Sequence, residues 1–116
     1  MSDCVFCKIV RGEIPSNKVY EDDDILAFQD INPARPVHVL VIPKKHLTSL
    51  ATVTPEDAGV LGKMLAKANE IAVSQGSTDG FRVIVNSGRV GGQEVAHLHL
   101  HIVGGPEPVG PMLARQ

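Results

Sequence analysis

The feature that most constrains this chain is the strict alternation of histidine with aliphatic residues in the segment His97–Val103. Alternation with a period of two is typical of a β-strand, whose successive side chains point to opposite faces of the sheet. The imidazoles of His97, His99 and His101 are therefore predicted on one face, about 6.5–7 Å apart along the strand. Imidazole acts as base, nucleophile or metal ligand near neutral pH, so three rings on one face favour a functional site over a structural role.

The rest of the chain predicts an α+β fold: about five strands in a mostly antiparallel sheet, with one short and one long helix. The predicted strands cover residues 18–21, 25–30, 38–43, 81–87 and 96–103. Asp3 is the candidate N-cap of the short helix and Thr54 that of the long one, and Gly12 and Gly76 are the candidate stops. We expect residues 4–105 to form one domain and residues 106–116 a C-terminal tail.

Composition excludes several classes of protein. The 116 residues suffice for one domain with its own core, and the formal net charge is −2. This near-neutral charge, with only three Phe, one Tyr and no Trp, argues against nucleic-acid partners. No apolar run reaches about 18 residues, and the N-terminus lacks a signal-peptide pattern. We therefore expect a cytoplasmic protein that has no membrane partner.

Two further segments carry chemistry. The Gly91–Glu94 turn lies just before the histidine segment, and a glycine turn can aim backbone N–H groups at a phosphate. Cys4 and Cys7 have the spacing of metal ligands, and their alternative interpretation is two small buried hydrophobic side chains. A thioredoxin-like redox role is not favoured, because no strand leads into the pair.

The histidine motif and a set of other segments together resemble the histidine-triad superfamily and, within it, the Hint branch of purine nucleoside phosphoramidases of bacterial type. The segments that carry the resemblance are 6–10, 12–15, 19–22, 27–31, 38–46, 85–86, 91–94 and 97–103. The resemblance implies a small α+β protomer that forms a homodimer. It also implies hydrolysis of the P–N bond of nucleoside 5′-phosphoramidates through a nucleotidyl-histidine intermediate.

The same resemblance implies a role for each matching residue. His99 would attack the α-phosphorus, His101 and His38 would line the phosphate pocket, and His97 would lie beside the nucleophile. The other residues implied to bind the nucleotide contact the ribose (Asp30), the phosphate (Asn86, Gly92, Gln93, Glu94) or the base (Phe6, Ile9, Phe28, Ile31). The alternatives from the residues alone are a turn at Asp30 and ordinary core at the four apolar positions.

Similarity to some bacterial members also implies a structural zinc ion bound by Cys4, Cys7, His46 and His97, whereas catalysis would need no cofactor. The chain departs from animal members in two places. Glu94 stands where they carry a serine, so it either supplies a proton or contributes only its backbone. The tail lacks their tryptophan-containing ending.

Two other classes of function remain open at this point. One is a different histidine-triad enzyme, a dinucleoside-polyphosphate hydrolase or a nucleotidyl transferase. The intact third histidine argues against the transferases, which carry glutamine there. The other class is a non-enzymatic nucleotide-binding or metal-binding protein whose histidines hold a transition metal.

Overall fold

The computed structural model describes residues 4–112 and confirms the predicted α+β class. Its elements, in chain order, are α1 (Val5–Val10), β1 (Lys18–Glu21), β2 (Ile25–Gln29), β3 (Val37–Pro43), α2 (Ala58–Ser74), β4 (Arg82–Ile84) and β5 (Leu100–Gly104). The five strands form one sheet in the order β1-β2-β3-β5-β4, and every neighbouring pair is antiparallel.

The strand that carries the histidines is shorter than predicted. It begins at Leu100 rather than at residue 96, because the segment before it leaves the sheet and the N–H of Leu98 donates to the carbonyl of Leu47 at 2.7 Å. The predicted alternation of faces still holds across this boundary, since Leu98 and Leu100 enter the core beside α2. β4 is also shorter than the predicted strand over residues 81–87. It has three residues, and its pairing with β5 ends where Ile84 lies opposite His101.

The two faces of the sheet are covered unequally. The long helix α2 packs its buried residues Met64, Ala68, Ile71 and Ala72 on one face. The other face carries a smaller apolar cluster formed by α1, β2 and β3, comprising Phe6, Ile9, Leu26, Phe28, Leu40 and Ile42. A helix of six residues is not stable alone, so α1 depends on the contacts that hold it there.

Both predicted helix ends are confirmed, whereas α2 begins three residues later than the predicted cap Thr54 implies, with Asp57 at its N-cap. A 3₁₀ turn over Pro55–Asp57 precedes α2, and the carboxylate of Asp57 accepts from the N–H of Thr54 at 2.9 Å. Gly12 (φ +79°) and Gly76 (φ +106°) follow the two helices in the left-handed conformation expected of helix-stopping glycines. The structure places Cys4 at the N-cap of α1, and the predicted cap Asp3 lies outside the described residues.

The segment 109–111 is held by two arginines. Arg82 donates to the carbonyls of Gly110 and Pro111, at 2.6 and 3.3 Å, and Arg35 donates to the carbonyl of Val109 at 3.1 Å. Among the described residues, 4–112, no helix has the length and apolarity required to cross a membrane.

Candidate active site and thiol–imidazole cluster

All five histidines of the chain lie in two adjoining clusters, of which His38 and His101 belong to strands of the sheet. His38 on β3 and His101 on β5 come together because their strands are hydrogen-bonded neighbours. The His99 ring lies 5.1 Å from that of His101, and the His46 ring lies 4.8 Å from that of His97, measured between centroids. We call His38, His99 and His101 the pocket histidines.

The proton of His99 is placed by the main chain. Its Nδ1 lies 2.8 Å from the carbonyl oxygen of His97, and a carbonyl can only accept, so Nδ1 carries the hydrogen. In the neutral ring the other nitrogen, Nε2, then keeps its lone pair. His99 is 6 % exposed and lines a cavity, so the side chain that carries the bare nitrogen borders a space that a ligand can enter.

A second chain of hydrogen bonds orients His38 and His101. The backbone N–H of Ala34 donates to His38 Nδ1 at 3.0 Å, which requires that nitrogen to be bare and places the proton on Nε2. His38 Nε2 lies 2.9 Å from Nδ1 of His101, which must accept and therefore carries its own proton on Nε2. Burial is the main factor that lowers the pKa of His101, and repulsion from His99 and His38 adds to it. His101 is thus a neutral ring that presents an N–H donor.

The cavity beside these rings has a volume of about 340 Å³. Most of its wall is formed by the apolar cluster beside α1. The Phe6 ring lies edge-on to the rings of Phe28 and His99, at centroid distances of 5.6 and 5.2 Å. Three of the four apolar residues proposed around the base, Phe6, Ile9 and Phe28, are buried and line it. Ile31 also lines it but is 88 % exposed, so ordinary core does not describe that position. We call this space the nucleotide cavity, after the ligand that the family resemblance implies.

Two carboxylates stand at the nucleotide cavity, those of Asp30 and Glu94. Asp30 follows the end of β2. One of its oxygens accepts from the N–H of Asn32 at 2.8 Å, and the other lies 3.4 Å from Nε2 of His38. Asp30 is therefore both a turn residue and a cavity residue. Glu94 is exposed, and its charge acts to raise the pKa of His101, against the larger effect of burial.

The side chain of Gln93 holds the loop before the histidine segment in place, a role that the glycine turn in the sequence does not predict. The Gln93 amide accepts from the N–H of Gly88 at 2.9 Å and donates to the carbonyls of Thr48 and Val95 at 2.8 and 2.9 Å. The backbone N–H of Gln93 donates to the Gly88 carbonyl at 3.0 Å, and Gly92 has a left-handed φ of +75°. A Cβ on Gly91 would lie 2.6 Å from the carbonyl oxygen of Ser87, so the turn admits only glycine there.

Asn86, the last of the residues proposed at the phosphate, lies on the other side of the pocket histidines. It lines a second cavity together with His38 and His101 rather than the nucleotide cavity.

The second cluster combines thiols with imidazoles, and we call Cys4, Cys7, His46 and His97 the thiol–imidazole cluster. Sγ of Cys4 lies 3.2 Å from Nδ1 of His97, and Sγ of Cys7 lies 3.2 Å from Nδ1 of His46 and 3.6 Å from Nδ1 of His97. The donors of a tetrahedral zinc site are separated by roughly 3.5 Å, given bonds of 2.0–2.3 Å. The four residues could therefore form a metal site.

The protonation of this cluster also suits a metal. Nε2 of His97 donates to the carbonyl of Pro43 at 2.8 Å, which leaves Nδ1 bare and directed at the two sulfurs. Burial raises the pKa of the Cys7 thiol, with a further contribution from Cys4, so a thiolate there needs a compensating positive charge. Two thiols and two imidazoles suit Zn²⁺ in a closed structural site that leaves no position for substrate.

Asp30, His38 and His101 are also close enough to one another to be considered as metal ligands. The hydrogen bonds disfavour this. A metal on Nε2 of His38 would move the proton to Nδ1, where it would face the N–H of Ala34. The pocket histidines are thus arranged as hydrogen-bonding groups around one bare nitrogen.

The family model described as "Scavenger mRNA decapping enzyme C-term binding" matches residues 3–112. The chain is 55% identical to the protein HitA of Neisseria gonorrhoeae over 106 residues, which cover 91% of this chain and 99% of that protein. It is 46% identical to the purine nucleoside phosphoramidase of Escherichia coli K12 over 115 residues, 98% and 96% of the two chains. A solved structure of a HIT family hydrolase from Clostridium thermocellum superposes with a TM-score of 0.92 at 43% identity, covering 98% of this chain and 99% of that one. This chain therefore belongs to the histidine-triad (HIT) family of hydrolases.

Proposed function

We propose that this protein hydrolyses the P–N bond of purine nucleoside 5′-phosphoramidates, and that His99 forms the covalent nucleotidyl intermediate. The observation that carries the proposal is the hydrogen bond from Nδ1 of His99 to the carbonyl of His97, because it leaves a bare Nε2 at the wall of the nucleotide cavity. The similar E. coli protein bears the name of this activity.

The reaction follows from the orientation of the rings. Nε2 of His99 attacks the α-phosphorus, the P–N bond breaks, and its electron pair goes to the amine nitrogen, which takes up a proton and leaves. Water then cleaves the phosphorus–His99 bond and releases the nucleoside monophosphate. The N–H of His101 donates to a phosphoryl oxygen, where negative charge grows in the transition state.

The remaining residues bind the nucleotide in this proposal. The base lies among Phe6, Ile9, Phe28 and Ile31, and the Asp30 carboxylate accepts from the ribose hydroxyls. Asn86 and the backbone of Gly92, Gln93 and Glu94 hold the phosphate oxygens. Because the side chain of Gln93 already braces the loop, we assign its contribution to the backbone.

Three further properties belong to the proposal. Zinc in the thiol–imidazole cluster is structural: it ties α1 to the segment before β5 and takes no part in a catalytic step.

The protein acts in the cytoplasm. It forms a homodimer, because the sheet of the described residues ends in two strand edges, β1 and β4, that a partner can cover. Light scattering that finds a monomer at micromolar concentration would contradict the homodimer.

The test is a quenched turnover of labelled adenosine 5′-phosphoramidate followed by mass spectrometry of the digested protein. We expect the nucleotidyl group on His99. His99→Asn should bind AMP with near-parental affinity and lose at least about a thousandfold in turnover, because a nucleophile cannot be replaced by binding interactions. An adduct on His97 or His101, or faster turnover of diadenosine polyphosphate than of the phosphoramidate, would overturn the proposal.

A further inference from the structure

A second cavity, of about 290 Å³, adjoins the nucleotide cavity. His101 lines both cavities, whereas His99 lines only the nucleotide cavity. The second cavity is lined on its other sides by Arg35, Arg82 and Asn86, among others. We call it the arginine cavity.

The two cavities carry opposite charges. The nucleotide cavity holds the carboxylates of Asp30 and Glu94, and the arginine cavity holds two guanidinium groups. Arg35 and Arg82 donate to main-chain carbonyls, and within residues 4–112 no carboxylate lies within 4 Å of either guanidinium. Each guanidinium has five N–H donors, so both keep donors for an anion.

The placement of the nucleophile indicates which part of a substrate would enter the arginine cavity. In-line displacement requires the nucleophile and the leaving group on opposite sides of the phosphorus. His99 approaches from the nucleotide cavity, and His101 lies at the boundary between the two spaces. A phosphorus atom beside both rings therefore directs its leaving group toward the arginine cavity.

We infer that the arginine cavity is the leaving-group subsite and that it selects phosphoramidates whose leaving amine carries an anionic group, a carboxylate or a phosphate. This inference rests on the proposed function and names its substrate class. The guanidinium groups would pair with the anion while the amine nitrogen stays beside His101. An amine that carries no negative charge would leave the guanidinium groups of Arg35 and Arg82 without an anionic partner.

The experiment compares three adenosine 5′-phosphoramidates that differ only in the amine: glycine, aminomethylphosphonate and glycinamide. The measured quantity is the ratio of kcat/KM for each anionic substrate to that for the neutral glycinamide compound. We expect a ratio well above one for the wild type, falling as salt is added. Arg35→Gln and Arg82→Gln should each lower it about tenfold, the value of one charge-assisted hydrogen bond. Arg82→Lys should restore part of it, and Arg11→Gln, remote from the cavity, should not change it.

The outcomes separate the inference from the proposed function. Hydrolysis of none of the three compounds overturns the proposed function. Hydrolysis with a wild-type ratio of one or less, or with no effect of salt, overturns the inference even if no variant folds. Equal losses on charged and neutral substrates also overturn it, because the arginines would then act only by holding the segment 109–111. A larger loss for the glycine compound identifies a carboxylate as the anion, and a larger loss for the phosphonate compound identifies a phosphate.

Discussion

The two histidine clusters differ in which ring nitrogen is left free of a proton: Nδ1 of His97 in the thiol–imidazole cluster, and Nε2 of His99 among the pocket histidines. In the thiol–imidazole cluster, Nε2 of His97 donates to the Pro43 carbonyl and Nδ1 faces the sulfurs. In the pocket, Nδ1 of His99 donates to the carbonyl of His97 and Nε2 stays bare. A main-chain acceptor therefore decides whether a ring is prepared as a metal ligand or as a nucleophile, although the two residues are only two positions apart.

The surroundings of the two bare nitrogens also differ. The bare nitrogen of His97 points at soft sulfur donors inside a closed group of four side chains. That of His99 borders an open cavity that also contains carboxylates and an N–H donor. The first arrangement should respond to metals and to loss of thiols, and the second to changes at individual rings. The following predictions test whether the two clusters can be disturbed separately.

The largest expected effect concerns the metal. Wild-type protein prepared with zinc should contain about one zinc ion per chain. Its free energy of unfolding should be about 4 kcal/mol higher than that of protein treated with a chelator, if the free zinc concentration is about a thousandfold above the Kd. Cys4→Ala should abolish this gain in stability and leave the arrangement of the pocket histidines unchanged, whereas His99→Asn should keep the zinc. Elemental analysis and denaturant titration measure both quantities. Absence of zinc, with no cost of Cys4→Ala, would contradict the structural metal site.

The next effect concerns the donor at the pocket. His101→Asn should lower kcat about a hundredfold, because it removes an N–H that stabilises the transition state without removing the nucleophile. Zinc content should remain that of the wild type. Steady-state kinetics and elemental analysis on the same sample test this. A loss as large as that of His99→Asn would mean that His101 forms the bond or holds the whole pocket together.

A smaller effect is expected at His38, which acts through His101. His38→Phe keeps a ring of similar size but removes the donor to Nδ1 of His101, so we expect about a tenfold loss of kcat. The specific readout is nitrogen-15 NMR of His101, which should change from the Nε2–H tautomer to a mixture. Unchanged tautomer populations together with reduced activity would show that His38 serves packing alone.

The smallest effect is a pH dependence of stability in metal-free protein. Burial is the largest cause lowering the pKa of both His97 and His101 below the usual 6.5. A lowered pKa in the folded state means that the unfolded chain binds protons first, so the contribution of these two rings to stability is constant well above pH 6.5 and falls as the pH drops below it. The fall is at most about 1.4 kcal/mol per pH unit for each ring. Zinc should steepen the dependence that comes from His97, because a ring bound to the metal cannot take up a proton in the folded state, and should leave that from His101 unchanged; equal slopes with and without zinc would contradict the comparison.

Part of this organisation could be read from the sequence. The alternation in His97–Val103 predicted which side chains enter the core, and the spacing of Cys4 and Cys7 predicted a compact ligand pair. The strand boundary at Leu100 could not be predicted, because it depends on the contact between Leu98 and Leu47, which are 51 positions apart.

The protonation of the rings was also beyond the sequence. Each proton is set by a main-chain group that the tertiary fold brings near, as Pro43 is brought to His97. The brace formed by Gln93 and the arginine cavity depend in the same way on segments distant in the chain. Patterns within a strand or helix can be read locally, whereas contacts between loops need the assembled structure.

Phe6 lies between the two cysteines in sequence, and its ring is edge-on to both His97 and His99, at 5.8 and 5.2 Å. The short helix α1 and its N-cap residue Cys4 thus carry two proposed zinc ligands and part of the wall of the nucleotide cavity. Two ligands that order the same segment are thermodynamically linked, and the factor by which one improves the affinity of the other is the same in both directions. A titration of AMP into zinc-free and zinc-loaded protein would therefore also measure how strongly the nucleotide retains the metal.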